Sequence, residues 1–219
     1  ASKNPPAPAP RAANTNAAVG DAPAGTADDV DVIRFDEAAF RQGARIALEG
    51  GELVILDAVR IEGPGADRLT VDGRGRSGVF GVLGQAVSAE LSGLTITGGA
   101  VSYGGGGVFN AGDLTLTDVV VRGNAAVSAQ GYAFGGGVHS TGTLTVIDAT
   151  IADNETSGYG GGIYSEGTTT ITGSTIRANR AYAGGGVAGY GGTLVVAGSE
   201  VTGNHALQEG GGIYLSNGA

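Results

Sequence analysis

Gly105-Gly106-Gly107-Val108 decides how this chain is read, because the figure returns at Gly135-Gly136-Gly137-Val138, Gly160-Gly161-Gly162-Ile163, Gly184-Gly185-Gly186-Val187 and Gly210-Gly211-Gly212-Ile213. The Val or Ile that closes each figure steps forward by 30, 25, 24 and 26 residues. From that anchor, offsets of 6, 8, 11 and 13 give Leu114, Leu116, Val119 and Val121. The same offsets then give Leu144, Val146, Ala149 and Ile151, followed by Thr169, Ile171, Ser174 and Ile176. After one extra residue near Gly189–Gly192 the pattern resumes with Leu194, Val196, Ser199 and Val201. Side chains alternate across a strand, so two i, i+2 pairs plus an isolated anchor are the inward faces of three short strands. Coils of about 25 residues, stacked in parallel at about 4.8 Å, make an all-β parallel β-helix. The period of two excludes an amphipathic helical repeat, and a propeller blade needs about 40 residues.

Upstream of Val108 the pattern loosens. Counting back 25 residues places an anchor at Leu83, followed by Ala89, Leu91, Leu94 and Ile96. Short alternating strands punctuated by Gly50-Gly51, Gly63-Pro64-Gly65 and Gly73 extend the solenoid back to Ile46. The β-helix is therefore expected over 46–219, truncated at its C-terminal end. Residues 30–45 are expected to cap the N-terminal end, with one helical turn in Asp36–Gly43, because an open first coil would offer its strand edges to other chains. Residues 1–29, which include the PPAPAP run, are rich in Ala, Pro and Asn and lack hydrophobic periodicity; they read as a disordered linker or leader remnant.

One polar column completes the coil. Asn124, Asn154 and Asn179 lie 16 residues after their anchors, and Asn204 lies 17 after, which matches the insertion. Asn can hydrogen-bond both its own turn and the like Asn one coil away, so a structural ladder is expected. Length varies between this Asn and the next glycine triplet, which puts the variable loops along one edge, where binding functions concentrate.

Composition narrows the partners. Gly reaches 44 of 219 residues, which demands many sharp turns. A net charge of −9 argues against nucleic acid or an anionic membrane as partner. The absence of Cys removes disulfide and thiolate chemistry, and no apolar run reaches the ~18 residues of a membrane helix.

The paired motifs GGGV with VRGN, GGGV with IADN, GGGI with IRAN and GGGV with VTGN resemble the repeats of chlamydial polymorphic outer-membrane proteins. More widely they resemble bacterial right-handed parallel β-helix surface proteins and autotransporter passengers. Val or Ile stands here where the chlamydial motif has Phe. The resemblance, over about residues 30–219, implies a right-handed coil, export to the cell surface or medium, and a role in adhesion.

Aromatic residues are the most suggestive candidates for function. Phe109, His139, Tyr164 and Tyr214 follow their anchors directly, with Ala188 in the remaining coil, and are expected to point outward as a column. Tyr159 and Tyr182 stand just before glycine triplets, as do Tyr103 and Phe134. Such rings either stack on one another for stability or bind sugar faces or a partner protein.

Acid/base chemistry has less support. Asp118 and Asp148 share offset 10 and could approach to about 5 Å on adjacent coils, but Gly173 and Gly198 continue the column at a turn, where Asp is common. No nonapeptide calcium motif occurs, GRGRSG at Gly73–Gly78 precedes a strand rather than a phosphate-binding helix, and His139 and His205 occupy different coil positions. No metal or cofactor is expected. The Asn154-Glu155-Thr156 sequon is expected to be locked in the ladder.

The expected function is a non-catalytic, exported β-helix that recognises glycans or host surface proteins. The alternative is a polysaccharide lyase or hydrolase whose site is completed outside this segment. A flat face binding ice would need a Thr column, and Thr150 and Thr175 are interrupted by Val120 and Glu200.

Overall fold

A computed structural model describes residues 30–36, 40 and 43–216. Strand pairing is parallel throughout, in three sheets of seven strands and one of five. The first strand type is the anchor strand: Leu53–Ile55, Phe80–Val82, Val108–Asn110, Val138–Ser140, Ile163–Ser165, Val187–Tyr190 and Ile213–Ser216 stack in that order. A longer strand follows in each coil, such as Asp113–Thr117 on Thr143–Ile147, and then a third, such as Val120–Arg122 on Thr150–Ala152. Besides these three expected strands, most coils carry a fourth of two residues just after the Asn, such as Ala125–Ala126 on Glu155–Thr156.

Register follows the inward columns. Val108 pairs Val138 and Val138 pairs Ile163. Leu114 pairs Leu144, and Val121 pairs Ile151. All of these are fully buried, and each large aliphatic withdrawn from water contributes about 2 kcal/mol. Thr169 interrupts the leucine column without leaving an unsatisfied hydroxyl, because Ser165 Oγ lies 2.7 Å from its Oγ1.

Two early assignments change. Phe80, rather than Leu83, is the anchor that pairs Val108; Leu83 is 38% exposed. Ala89 and Leu91 nevertheless pair Leu114 and Leu116 as expected. Three extra residues therefore sit in the turn between the anchor strand and the long strand, where an insertion does not disturb pairing. At the N-terminal end, Asp31–Arg34 already pairs Val59–Glu62, and Ala44–Ala47 pairs Leu69–Asp72, so the stretch expected to be a cap supplies strands to the stack. Phe35 and Phe40 meet edge-on, 5.3 Å between centroids, and pack against the core there. The expected helical turn in Asp36–Gly43 and the linker over 1–29 lie at least partly outside the described residues. At the opposite end Ile213, an anchor, is 39% exposed.

The glycine triplets are backbone stacked on backbone. Gly135, Gly136, Gly137 and Val138 each donate an N–H to the coil above, to the carbonyls of Tyr159, Gly160, Gly161 and Gly162. The first glycine of the triplet is left-handed, with φ of 60° at Gly135 and 68° at Gly160. The second is a close approach: a Cβ on Gly161 would stand 2.5 Å from the carbonyl oxygens of both Arg180 and Gly185.

Candidate aromatic site

The Asn ladder forms as expected. Asn154 Oδ1 accepts from the backbone N–H and the Nδ2 of Asn124, both at 3.0 Å. Its own Nδ2 donates to Val121 O at 2.9 Å and Asn179 Oδ1 at 3.0 Å. Asn179 repeats the figure toward Asn204. With its amide nitrogen buried and doubly engaged, Asn154 has no free group for a glycan.

The aromatic edge is built differently from a simple outward stripe. Phe109 pairs His139, His139 pairs Tyr164, Tyr164 pairs Ala188, and Ala188 pairs Tyr214. These side chains point away from the aliphatic core, but the column is not open to solvent: His139 is 2% and Tyr164 5% exposed. The residues just before the triplets cover it, because Gly104, Phe134, Tyr159 and Ala183 bridge one another in parallel from coil to coil. Phe134 thereby lies 4.7 Å from Tyr164 and 5.9 Å from His139, centroid to centroid. Ring contacts run on from Phe109 through His139 to Tyr164, and from Phe134 through Tyr159 to Tyr182 and Tyr214. The result is a second, aromatic core outside the solenoid wall, and both readings of the rings apply. Phe109, His139, Tyr164 and Phe134 stack for stability, whereas Tyr103, Tyr182 and Tyr190 stay exposed.

Burial sets the electrostatics. It pushes His139 down to about 4, so the imidazole is neutral at pH 7. Neither ring nitrogen hydrogen-bonds a described residue, and Glu166 Oε1 is 3.7 Å from Nε2. Burial, reinforced by Glu166, also raises the Tyr164 phenol well above the ordinary tyrosine range. Tyr159 is raised as well, by burial first and then by neighbouring tyrosines and Glu209.

One position in the column lacks a ring. Ala188 stands between Tyr164 and Tyr214, and the vacancy opens as a cleft of about 340 Å³. Its walls are Phe134, Tyr159, Tyr164, Tyr190 and Tyr214, with Gly189 and Ser216 completing them. Sequence reasoning registered Ala188 as an interruption and missed the cleft; the signal was one small residue in a column of rings.

The family model for the right handed beta helix region matches residues 44–219. The chain belongs to this family. No curated protein and no solved structure matches it. In this β-helix, the shared offset of Asp118 and Asp148 is a backbone requirement. Both adopt left-handed φ, 52° and 49°, and Gly93, Gly173 and Gly198 of the same column do likewise at 58°, 61° and 57°. The column selects residues that tolerate that region, which Asp does and most residues do not. Among the described residues no cluster of His, Asp and Glu is suited to hold a metal. A Thr column does exist on the long-strand sheet, where Thr115 pairs Thr145 and Thr145 pairs Thr170. It ends at Glu90 on one side and Val195 on the other.

Proposed function

We propose that this β-helix is a non-catalytic recognition protein of the exported, surface-displayed kind represented by polymorphic outer-membrane proteins and autotransporter passengers. Its partners are glycans or host surface proteins. The observation that carries this reading is the aromatic edge. A continuous ring-to-ring core runs beside the variable loops and leaves Tyr103, Tyr182 and Tyr190 exposed on a rigid support. Rigid, amphipathic rings lose little conformational entropy on binding and suit both sugar faces and protein surfaces.

The covered rings are poor probes of recognition, because truncating Tyr164 disturbs packing. The exposed ones are good probes. Replacing Tyr103, Tyr182 and Tyr190 together by Ala is expected to weaken binding to an immobilised glycan or host-surface-protein panel at least tenfold, about 1.4 kcal/mol, with the circular dichroism spectrum unchanged. Equal binding by the triple variant would remove the aromatic edge as the recognition surface. Fractionation of the native host, with the chain found only inside the cytoplasm, would remove the exported reading.

A further inference from the structure

The cleft left by Ala188 has a shape and charge that single out one chemical class. Its rings do not form a flat platform. Phe134 and Tyr159 are nearly parallel, interplanar 13°, but Tyr164 is tilted 37° to Phe134 and Tyr214 is tilted 35° to Tyr159. Faces and edges thus surround a small space from several directions. At about 340 Å³ it lies at the small end of the roughly 300–1,000 Å³ typical of ligand pockets. Polar contact in the lining is limited to phenol hydroxyls, Ser216 and backbone, and no Asn, Gln, Asp or Arg reaches in to grip the hydroxyls of a sugar ring.

The charge around it is negative. Glu166 hydrogen-bonds the Tyr164 hydroxyl, and Glu209 acts electrostatically on Tyr159. Both carboxylates are exposed, and no cationic side chain lines the cleft. Ring quadrupoles facing one space, with carboxylates at the border, favour a soft, weakly hydrated cation over an anion or a neutral polyol. We propose that the Ala188 cleft is an aromatic cage that binds a quaternary ammonium group. The inference concerns a small-molecule site and does not rest on the adhesion reading.

The test uses the whole chain. With 7 Tyr and no Trp, tyrosine emission reports directly on the cage. Choline is titrated beside its uncharged carbon isostere, 3,3-dimethylbutan-1-ol, and beside methyl glucoside. Choline is expected to saturate the signal below about 10 mM and to bind at least tenfold more tightly than the isostere.

Ala188→Tyr is expected to abolish binding by filling the cleft, since aromatic residues occupy the equivalent position on the coils to either side. Tyr190→Ala removes an exposed wall that the fold does not need and is expected to weaken binding about threefold, within the range of an exposed cation–π contact. Glu166→Gln is expected to weaken choline and leave the isostere unchanged. Three results overturn the proposal: equal affinity for choline and the isostere, tighter binding of methyl glucoside, or no choline response up to about 50 mM. Undiminished choline binding by folded Ala188→Tyr or by Tyr190→Ala also overturns it. Loss of adhesion in the triple tyrosine variant bears only on the other reading.

Discussion

The Asn corner and the aromatic edge are both columns of residues stacked coil on coil, yet they tolerate change very differently. At the Asn corner each side chain accepts from the coil before and donates to the coil after, with every polar atom buried. Nothing but Asn offers both groups at that reach, so Asn124, Asn154, Asn179 and Asn204 are identical. At the aromatic edge the stack is held by ring contacts at varied angles, and Phe, His, Tyr and even Ala take turns. Directional bonds enforce identity, whereas dispersion and area burial accept any ring and can leave a gap. The regular corner is where the fold is held, and the irregular edge is where a ligand has room.

The largest expected effect tests the corner. Asn154→Ala leaves the Asn124 backbone N–H, the Asn124 and Asn179 side chains and the Val121 carbonyl short of partners in a dry interior, at about 4 kcal/mol. Urea unfolding should show it, and a cost under about 1 kcal/mol would reduce the ladder to ornament. Next comes Gly161→Ala, where the new Cβ meets two carbonyl oxygens at 2.5 Å and neither coil can move away alone. About 3 kcal/mol is expected, read as a melting temperature lower by roughly 10 °C, and an unchanged melt would mean that the coils can separate locally.

The edge should respond to pH where the corner does not. His139 is neutral when folded, with its pKa lowered to about 4 by burial, while in the unfolded chain it titrates near its ordinary value of about 6.5. The unfolded state therefore binds more protons between those values. Its contribution is fully present above pH ~6.5 and is lost progressively as pH falls toward ~4, on the order of 2 kcal/mol. His139→Phe is expected to flatten that slope in stability measured from pH 7 to 4; an unaltered slope would place the titrating group elsewhere.

The smallest effect separates backbone from chemistry. Asp148→Gly installs the residue already used at Gly173 and Gly198 for the same left-handed turn, and stability should stay within about 1 kcal/mol of the parent. A greater loss would give the Asp148 carboxylate a role beyond the turn.

Much of the solenoid was legible because its constraints are periodic. Val108, Leu114, Leu116 and Val121 announce inward positions by alternation, and four equally placed Asn announce a ladder. The anchor at Phe80 was not legible from Val108, because counting by period assumes a turn of constant length and the turn beyond Phe80 holds three extra residues. The two-residue strand at Ala125–Ala126 is too short to show any alternation. The covering of Tyr164 was hidden for another reason. An outward direction can be read from strand parity, but whether the neighbouring loop folds back over it depends on Phe134 and Tyr159 bridging between coils.

The sequence by itself determined the stack, since a repeat of inward aliphatics, left-handed glycines and self-pairing Asn has one way to satisfy its burial and its hydrogen bonds. Only the tertiary structure decided the fate of the aromatics. Residues from two parts of the coil and from successive coils converge there, through contacts that carry no sequence period, and they enclose rings at His139 and Tyr164 while opening a cleft at Ala188.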